Sequence, residues 1–287
     1  MTVFQAKTES RLIDYLKDSG YTRTKIKQLL RHRAIEVNGE VVKNLDHPLR
    51  EGDTISLRKD KKESKVIPSM GIKIVYEDDA VIVIEKPAGV LTIASEAEKT
   101  KTVYYQLNEF LTQRAPRARE RIFIVHRLDR DTSGLMVFAK NLAVKRILQG
   151  SWKKVEKRYY AIVEGTPERK EGEIESRLRE TKSLKVYSDR HSDEAKPAKT
   201  KYRVLTQSRE YALLDVILET GRKNQIRVHL ADIGHPVAGD KKYGARTDPF
   251  RCLGLHAYLL SFTHPVTGKP MRFESTMPNR FGMIAMR

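Results

Sequence analysis

The stretch His126-Arg127-Leu128-Asp129-Arg130-Asp131-Thr132-Ser133-Gly134-Leu135 brings a carboxylate, Asp129, next to two potential cations, His126 and Arg127. Ile122-Phe123-Ile124-Val125 precedes it and Met136-Val137-Phe138-Ala139 follows, so two runs of strand character flank a short charged segment. A strand ending in such a segment delivers a carboxylate to the rim of a sheet. Thr132, Ser133 and Gly134 can turn the chain through local side-chain hydrogen bonds and a permissive glycine. Taken alone, the pattern also fits a hairpin whose polar residues face water. Lys157–Gly165 reads as a strand, with Tyr159, Ala161 and Val163 on one face and Lys157 at its start. An inward tyrosine offers a ring for stacking and a hydroxyl to orient a proton, although an ordinary sheet tyrosine satisfies the same pattern. Thr220-Gly221 turns into a helix ending near Ile233, with Ile226 and Leu230 toward a core and Arg227 one residue round, past the core edge.

The elements around these residues follow from periodicity. Ile72–Tyr76 and Ala80–Glu85 form a hairpin-like pair, ended by the turn Lys86-Pro87-Ala88-Gly89. Lys86 reads there as a solvated lysine or a phosphate ligand. Residues 102–114 read as a helix followed by a basic loop, 114–119, and residues 141–153 as a second helix. Residues 183–200 are polar and read as an extended surface loop; Tyr211–Glu219 is a strand, and Gly254–Phe262 a buried segment.

Nearer the N-terminus, Ser10 is expected to cap a helix over Arg11–Ser19 that stops at Gly20, and Thr22 a helix from Arg23 to about Arg33. Arg23, Lys27 and Arg31 recur at four-residue steps and form a basic stripe suited to phosphates; a solvated helix face is the plain alternative. Ile35–Val37, the turn Asn38-Gly39 and Val41-Val42 make a hairpin, with a further strand ending at Leu57. The charged stretch that follows reads as a linker. The expected organisation is a small domain over 1–58, a linker over 59–70 and a large domain over 71–287.

The chain has 287 residues, room for one large core plus a small unit. Lys and Arg number 55 against 37 Asp and Glu, a net charge of +18 that favours a polyanionic partner. No apolar run is long enough to span a bilayer, so no membrane partner is expected. Met1–Gln5 lacks a basic-then-apolar leader, and the single cysteine, Cys252, excludes an internal disulfide; both fit a cytoplasmic location. The histidines show no metal-ligand spacing, so no metal site is expected.

Four stretches stand in one order: Lys86–Gly89, His126–Leu135, Lys157–Gly165, and Thr220–His229 running on to Gly239-Asp240. Together they resemble the RluA family of RNA pseudouridine synthases over nearly all of residues 71–278. His-Arg-Leu-Asp-x-x-Thr-Ser-Gly-Leu is the most specific part. Residues 10–57 resemble the S-four-type RNA-binding domain. The resemblance implies an α+β fold: a mixed, mostly antiparallel central sheet flanked by helices, with a small N-terminal α/β RNA-binding domain. It implies an isomerase that breaks a uridine's glycosidic bond, turns the uracil and rejoins it through carbon 5, with no cofactor. On this likeness Asp129 is the essential carboxylate, Arg227 its pairing arginine, and Tyr159 the active-site tyrosine. His126 and Arg127 are placed against the flipped nucleotide or its backbone, with loop-holding as their competing role. Arg23, Lys27 and Arg31 would contact RNA. The sequence departs from the family at Asn224, where histidine often precedes Gln-Ile-Arg, and the role of that position is left open. Large-subunit ribosomal RNA is favoured over transfer RNA as the partner, and no obligatory protein partner is inferred. Two rivals remain: a non-catalytic RNA-binding or ribosome assembly factor, and a glycosidic hydrolase using Asp129 and Asp131 as paired carboxylates.

Overall fold

The computed structural model describes residues 2–31, 34–42, 44–57, 65–67, 70–114, 120–181, 183–189 and 191–285. The chain divides into two compact units, residues 1–64 and 65–287.

In the first unit the helices Leu12–Asp18 and Arg23–Arg31 share one core with a four-stranded sheet, ordered Thr2–Gln5, Thr54–Leu57, Ile35–Val37, Glu40–Val41. Leu12, Leu16, Ile26, Ile35 and Ile55 are fully buried there. Asn38 (φ 51°) and Gly39 (φ 86°) are both left-handed, as a two-residue hairpin loop requires. Ser10 does not cap the first helix. It pairs with Leu49 in a short strand, and extended Arg11 takes the N-cap place without a side-chain bond. Arg23 and Lys27 are exposed along the second helix. The side chain of Arg31 lies outside the described residues, as do 58–64 and 68–69 in and beside the expected linker and 115–119 of the expected basic loop.

In the second unit we label β1 (Lys65–Ile67), β2 (Ile72–Glu77), β3 (Val81–Lys86), α1 (Val103–Arg114), β4 (Phe123–Ile124), β5 (Ser133–Ala139) and α2 (Leu142–Gly150). There follow β6 (Glu156–Glu164), β7 (Glu171–Glu180), β8 (Val186–Ser188), β9 (Lys196–Gln207), β10 (Tyr211–Leu218), α3 (Gln225–Asp232), β11 (Leu255–Thr263), β12 (Pro270–Glu274) and α4 (Asn279–Ala285). Among the described residues these strands make one sheet, ordered β8-β7-β9-β10-β6-β11-β5-β3-β2-β1, with β4 beside β5 and β12 beside β11. The β5–β11 contact is parallel and the other pairings are antiparallel. The fold is α+β, as the resemblance implies.

β3 shows why its strand is central. Ile82 and Ile84 face one side, Val81 and Val83 the other, and all four are fully buried. The first pair packs with Val103, Leu107 and Leu111 of α1, and the second with Val144 and Leu148 of α2. Asn141 starts α2 by accepting the Val144 N–H at 2.9 Å.

Two spans differ from the sequence reading. Residues 183–200 are not a loop, because they contain β8 and the first half of β9. In β9 Ala198, Thr200 and Tyr202 are buried while Lys199 and Lys201 point outward, a strand alternation whose buried side is itself partly polar. Lys65–Ile67, inside the expected linker, pairs with β2 as an edge strand. Three residues after a charge run are too few to show a period. No helix among the described residues is long and apolar enough to cross a membrane.

Candidate active site

The loop between β4 and β5 carries Asp129, and it is fixed on both sides of that residue. Thr92 Oγ1 donates to the Leu128 carbonyl at 2.7 Å and accepts the Leu128 N–H at 3.3 Å. Lys86, fully buried at the end of β3, donates to the carbonyls of Pro87, Val90 and Arg130 at 2.8, 2.7 and 2.8 Å. It is therefore neither solvated nor a phosphate ligand; it clamps the Pro-Ala-Gly turn to the Asp129 loop. Burial pulls its pKa down to about 7, against the attraction of Asp131 and Asp129. Gly134, at φ 117°, pairs with Ala257 across the parallel contact, and a Cβ there would collide with the Ala257 backbone. Ser133 Oγ lies 2.8 Å from His256 Nδ1, and His256 Nε2 lies 3.0 Å from Ser275 Oγ.

The groups that meet Asp129 come from the start of α3, some 95 residues away. Asn224 sits at the N-cap in the left-handed region (φ 54°), which asparagine tolerates better than most residues. Its side chain does not cap the helix. Its Nδ2 donates to Asp129 Oδ2 at 2.5 Å, and its Oδ1 accepts from the Tyr243 hydroxyl at 3.1 Å. Arg227 Nη1 donates to the same Asp129 oxygen at 3.3 Å. Arg227 Nε and Nη2 bind both oxygens of Asp240, at 2.6 and 2.7 Å, in a bidentate pair. The Arg227 guanidinium also lies 5.0 Å from the Tyr243 ring centroid. The side chains of Asp240, Arg227 and Asp129 are 1%, 11% and 20% exposed, so exposure rises from the anchor to the carboxylate. Burial opposes charge on Arg227, but Asp240 and then Asp129 outweigh it and raise its pKa. Gln225 fixes the helix start: its amide donates to Lys199 O and Thr200 Oγ1 at 2.9 Å, and its Oε1 accepts from Thr220 Oγ1 at 2.7 Å.

These residues open on a cleft of about 320 Å³, whose walls include Arg127, Leu128, Asp129, Tyr159, Leu218 and Arg227. Tyr159 is buried on β6, and its hydroxyl has no protein partner among the described residues. Burial, with Asp129 adding to it, raises that hydroxyl above the ordinary tyrosine pKa and keeps it a neutral phenol. His126 is not a cation. Its Nε2 accepts the Val137 N–H at 3.1 Å and its ring packs on Trp152, centroids 4.5 Å apart. Burial and then Lys157 push its pKa down to about 3. Arg127 is exposed on the cleft wall. Asp131 does not pair with Asp129 across the cleft; it meets Arg130 at 3.3 Å on the exposed side of the loop. Arg23 and Lys27 belong to the separate first unit. Among the described residues no group of three or more His, Cys, Asp or Glu could hold a metal.

The model of the RNA pseudouridylate synthase family matches residues 80–232, and that of the S4 domain residues 10–55. An uncharacterized RNA pseudouridine synthase of Aquifex aeolicus is 36% identical over 295 residues, covering 96% of this chain and 93% of that protein. The chain belongs to the RNA pseudouridylate synthase family. Ribosomal large subunit pseudouridine synthase D of Vibrio cholerae is 35% identical over 278 residues, covering 90% of this chain and 84% of that one. The fold also matches the solved structure of human RNA pseudouridylate synthase domain containing 4, with a TM-score of 0.61, 24% identity, and coverage of 73% of this chain and 90% of that chain.

In this RNA pseudouridine synthase, an isomerase carrying an RNA-binding domain, sequence reasoning leaves three contributors without a role. Asp240 anchors Arg227, Asn224 touches Asp129 directly, and Tyr243 supports both. Asp240 and Asn224 lie inside the quoted motifs, but no local period reveals a partner 13 or 95 residues away.

Proposed function

We propose that this synthase converts a uridine of large-subunit ribosomal RNA to pseudouridine in the cytoplasm, with Asp129 as the reacting carboxylate. One observation carries the reading. Asp129 Oδ2 is held by Asn224 and Arg227, while Oδ1 has no protein partner among the described residues and the group borders the cleft. Two donors on one oxygen fix the plane of the carboxylate and leave the other oxygen for the ribose. Addition of Oδ1 to the anomeric carbon and removal of the 2′ proton both use that free atom. The glycosidic carbon–nitrogen bond breaks as Oδ1 bonds to the anomeric carbon, or as the 2′ proton leaves. The uracil turns, and carbon 5 bonds to the anomeric carbon while the bond to Asp129 breaks or the 2′ proton returns. Carbon 5 loses its proton and nitrogen 1 gains one, so the product is an isomer and no redox step is involved. Tyr159 stands beside Asp129 with its ring and an unengaged hydroxyl, suited to stacking on the uracil and moving the carbon 5 proton. A paired uridine must first leave its helix, at a cost of about a few kcal/mol. Phosphate contacts made by a chain of net charge +18 can offset that.

Ribosomal RNA ranks above transfer RNA because relatives such as the Vibrio cholerae protein are named for the large subunit. The decisive experiment maps pseudouridines in ribosomal and transfer RNA from cells with and without this gene. In vitro, Asp129→Asn is expected to lower turnover by at least about 10³-fold while RNA affinity stays within about threefold. Arg227→Ala is expected to reduce turnover far more than binding. Retained pseudouridine formation by Asp129→Asn would overturn the assignment. An assembly factor would show binding without product, and a hydrolase would release free uracil.

A further inference from the structure

Among the described residues two lysines are buried, Lys86 and Lys157. Lys86 is saturated by three carbonyls. Lys157 is not. It is 7% exposed, shares the cleft-facing side of β6 with Tyr159, and lines the cleft. Among the described residues its one hydrogen bond is a long 3.4 Å contact to the Trp152 carbonyl, and its ammonium stands 5.7 Å from the Trp152 ring centroid. No acidic group pulls on it: burial alone accounts for its lowered pKa. An ammonium removed from water without a counter-charge is unfavourable in isolation, and an anion reaching it would meet little solvent screening.

The surroundings select which anion. Arg127, Lys157, Arg222, Lys223 and Arg227 line the cleft against one carboxylate, Asp129. Arg227 is held by Asp240 and Lys223 by Glu180. Beside Lys157, His126 accepts through Nε2, so its proton sits on Nδ1, which has no protein partner among the described residues and is not a fully buried atom. His126, with that N–H, and Lys157, with its single long hydrogen bond, thus both lie against the Trp152 ring. Along β6, Lys157 lies two residues, about 7 Å, from Tyr159, a step comparable with the spacing of successive phosphates in an extended strand.

We propose that Lys157, with His126 Nδ1 and the Trp152 ring, forms a seat for an RNA phosphate about one nucleotide from the uridine at Asp129. The seat fixes the register of the strand in the cleft, so its loss weakens capture before it slows chemistry. The inference rests on the synthase reading for its ligand class, since a strand that delivers its uridine to Asp129 must pass this corner.

Trp152 is the chain's single tryptophan, so its fluorescence reports this corner without a label. The full chain is titrated with a short oligouridylate and with the same oligomer carrying uncharged methylphosphonate linkages. The charged oligomer is expected to change Trp152 emission and the neutral one to bind at least about tenfold more weakly. Lys157→Met should cost about tenfold in affinity and reduce the slope of log affinity against log salt by about 0.7, one phosphate contact on a single strand. Lys157→Arg should restore both. On ribosomal RNA the Met variant should raise KM with kcat nearly unchanged. Equal emission changes with charged and neutral oligomers in the wild type overturn the proposal, and need no variant to fold. So does an unaltered salt slope in a folded Lys157→Met. If wild type makes no pseudouridine while the titration behaves as expected, the seat stands and the synthase reading falls. If product forms without any emission change, the synthase reading stands and the seat falls.

Discussion

Asp240 does not line the cleft, yet it decides what Arg227 can do. A guanidinium with five donors takes whichever carboxylate is nearest. The bidentate Asp240 pair at 2.6 and 2.7 Å occupies the fork and leaves Arg227 a single 3.3 Å contact to Asp129. Without Asp240, the fork is expected to turn onto Asp129 and engage Oδ1, the oxygen proposed to react. Asp240→Asn should therefore lower single-turnover rates by about 10²-fold or more while RNA binding changes little. Because Asp240 is buried, breaking the pair should also cost about 3–5 kcal/mol in denaturant unfolding. A variant with intact stability and intact turnover would show that Arg227 is positioned by its backbone alone. Gly239, at φ 81°, sits against the Cys252 backbone where a Cβ would collide, so the chain reaches Asp240 through a position closed to larger residues.

The elements differ in how far their sequences announce them. β3 and β6 are readable because each carries a continuous apolar or aromatic run bounded by charged residues, and Asn38-Gly39 because a two-residue turn needs two left-handed residues. β8 and β9 are not, since β8 has only three residues, and in β9 buried Thr200 and outward Lys199 are both polar and carry no hydrophobic contrast. The Asp129–Arg227 contact bridges 98 positions, so only the order of motifs, not any local spacing, points to it. Lys86 escapes local reading for a related reason: a lysine in a Pro-Gly turn looks solvated, and its burial is set by the loop arriving from Leu128 to Arg130. That tie between the β3 turn and the Asp129 loop has a pH signature. The folded pKa of about 7 is below the ordinary lysine value of about 10.4. Between those values the unfolded chain binds the extra proton, so stability rises with pH across the window and is flat below it. The stability of wild type relative to Lys86→Met, measured by urea unfolding from pH 6 to 10, should accordingly increase from about pH 7 upward. A constant difference would mean the carbonyl cage keeps Lys86 charged throughout.

For the whole molecule, charge and core are divided unequally between the two units. Residues 1–64 hold 14 lysines and arginines against 10 acidic residues, so most of the net +18 belongs to residues 65–287. Each unit has its own hydrophobic cluster, and the sheet begins at Lys65. Removing residues 1–64 should therefore leave a folded catalytic unit with a cooperative unfolding transition near that of the full chain. Non-specific RNA affinity follows the number of phosphates engaged. The truncated chain should keep most of its salt-dependent binding to unstructured RNA and lose affinity for its structured target by about tenfold or more. Filter binding of both RNAs at two salt concentrations separates these contributions. If the truncated chain binds the structured target as well as the full chain does, the first unit selects no RNA. If the truncated chain fails to fold, the boundary at residue 64 does not mark an independent unit.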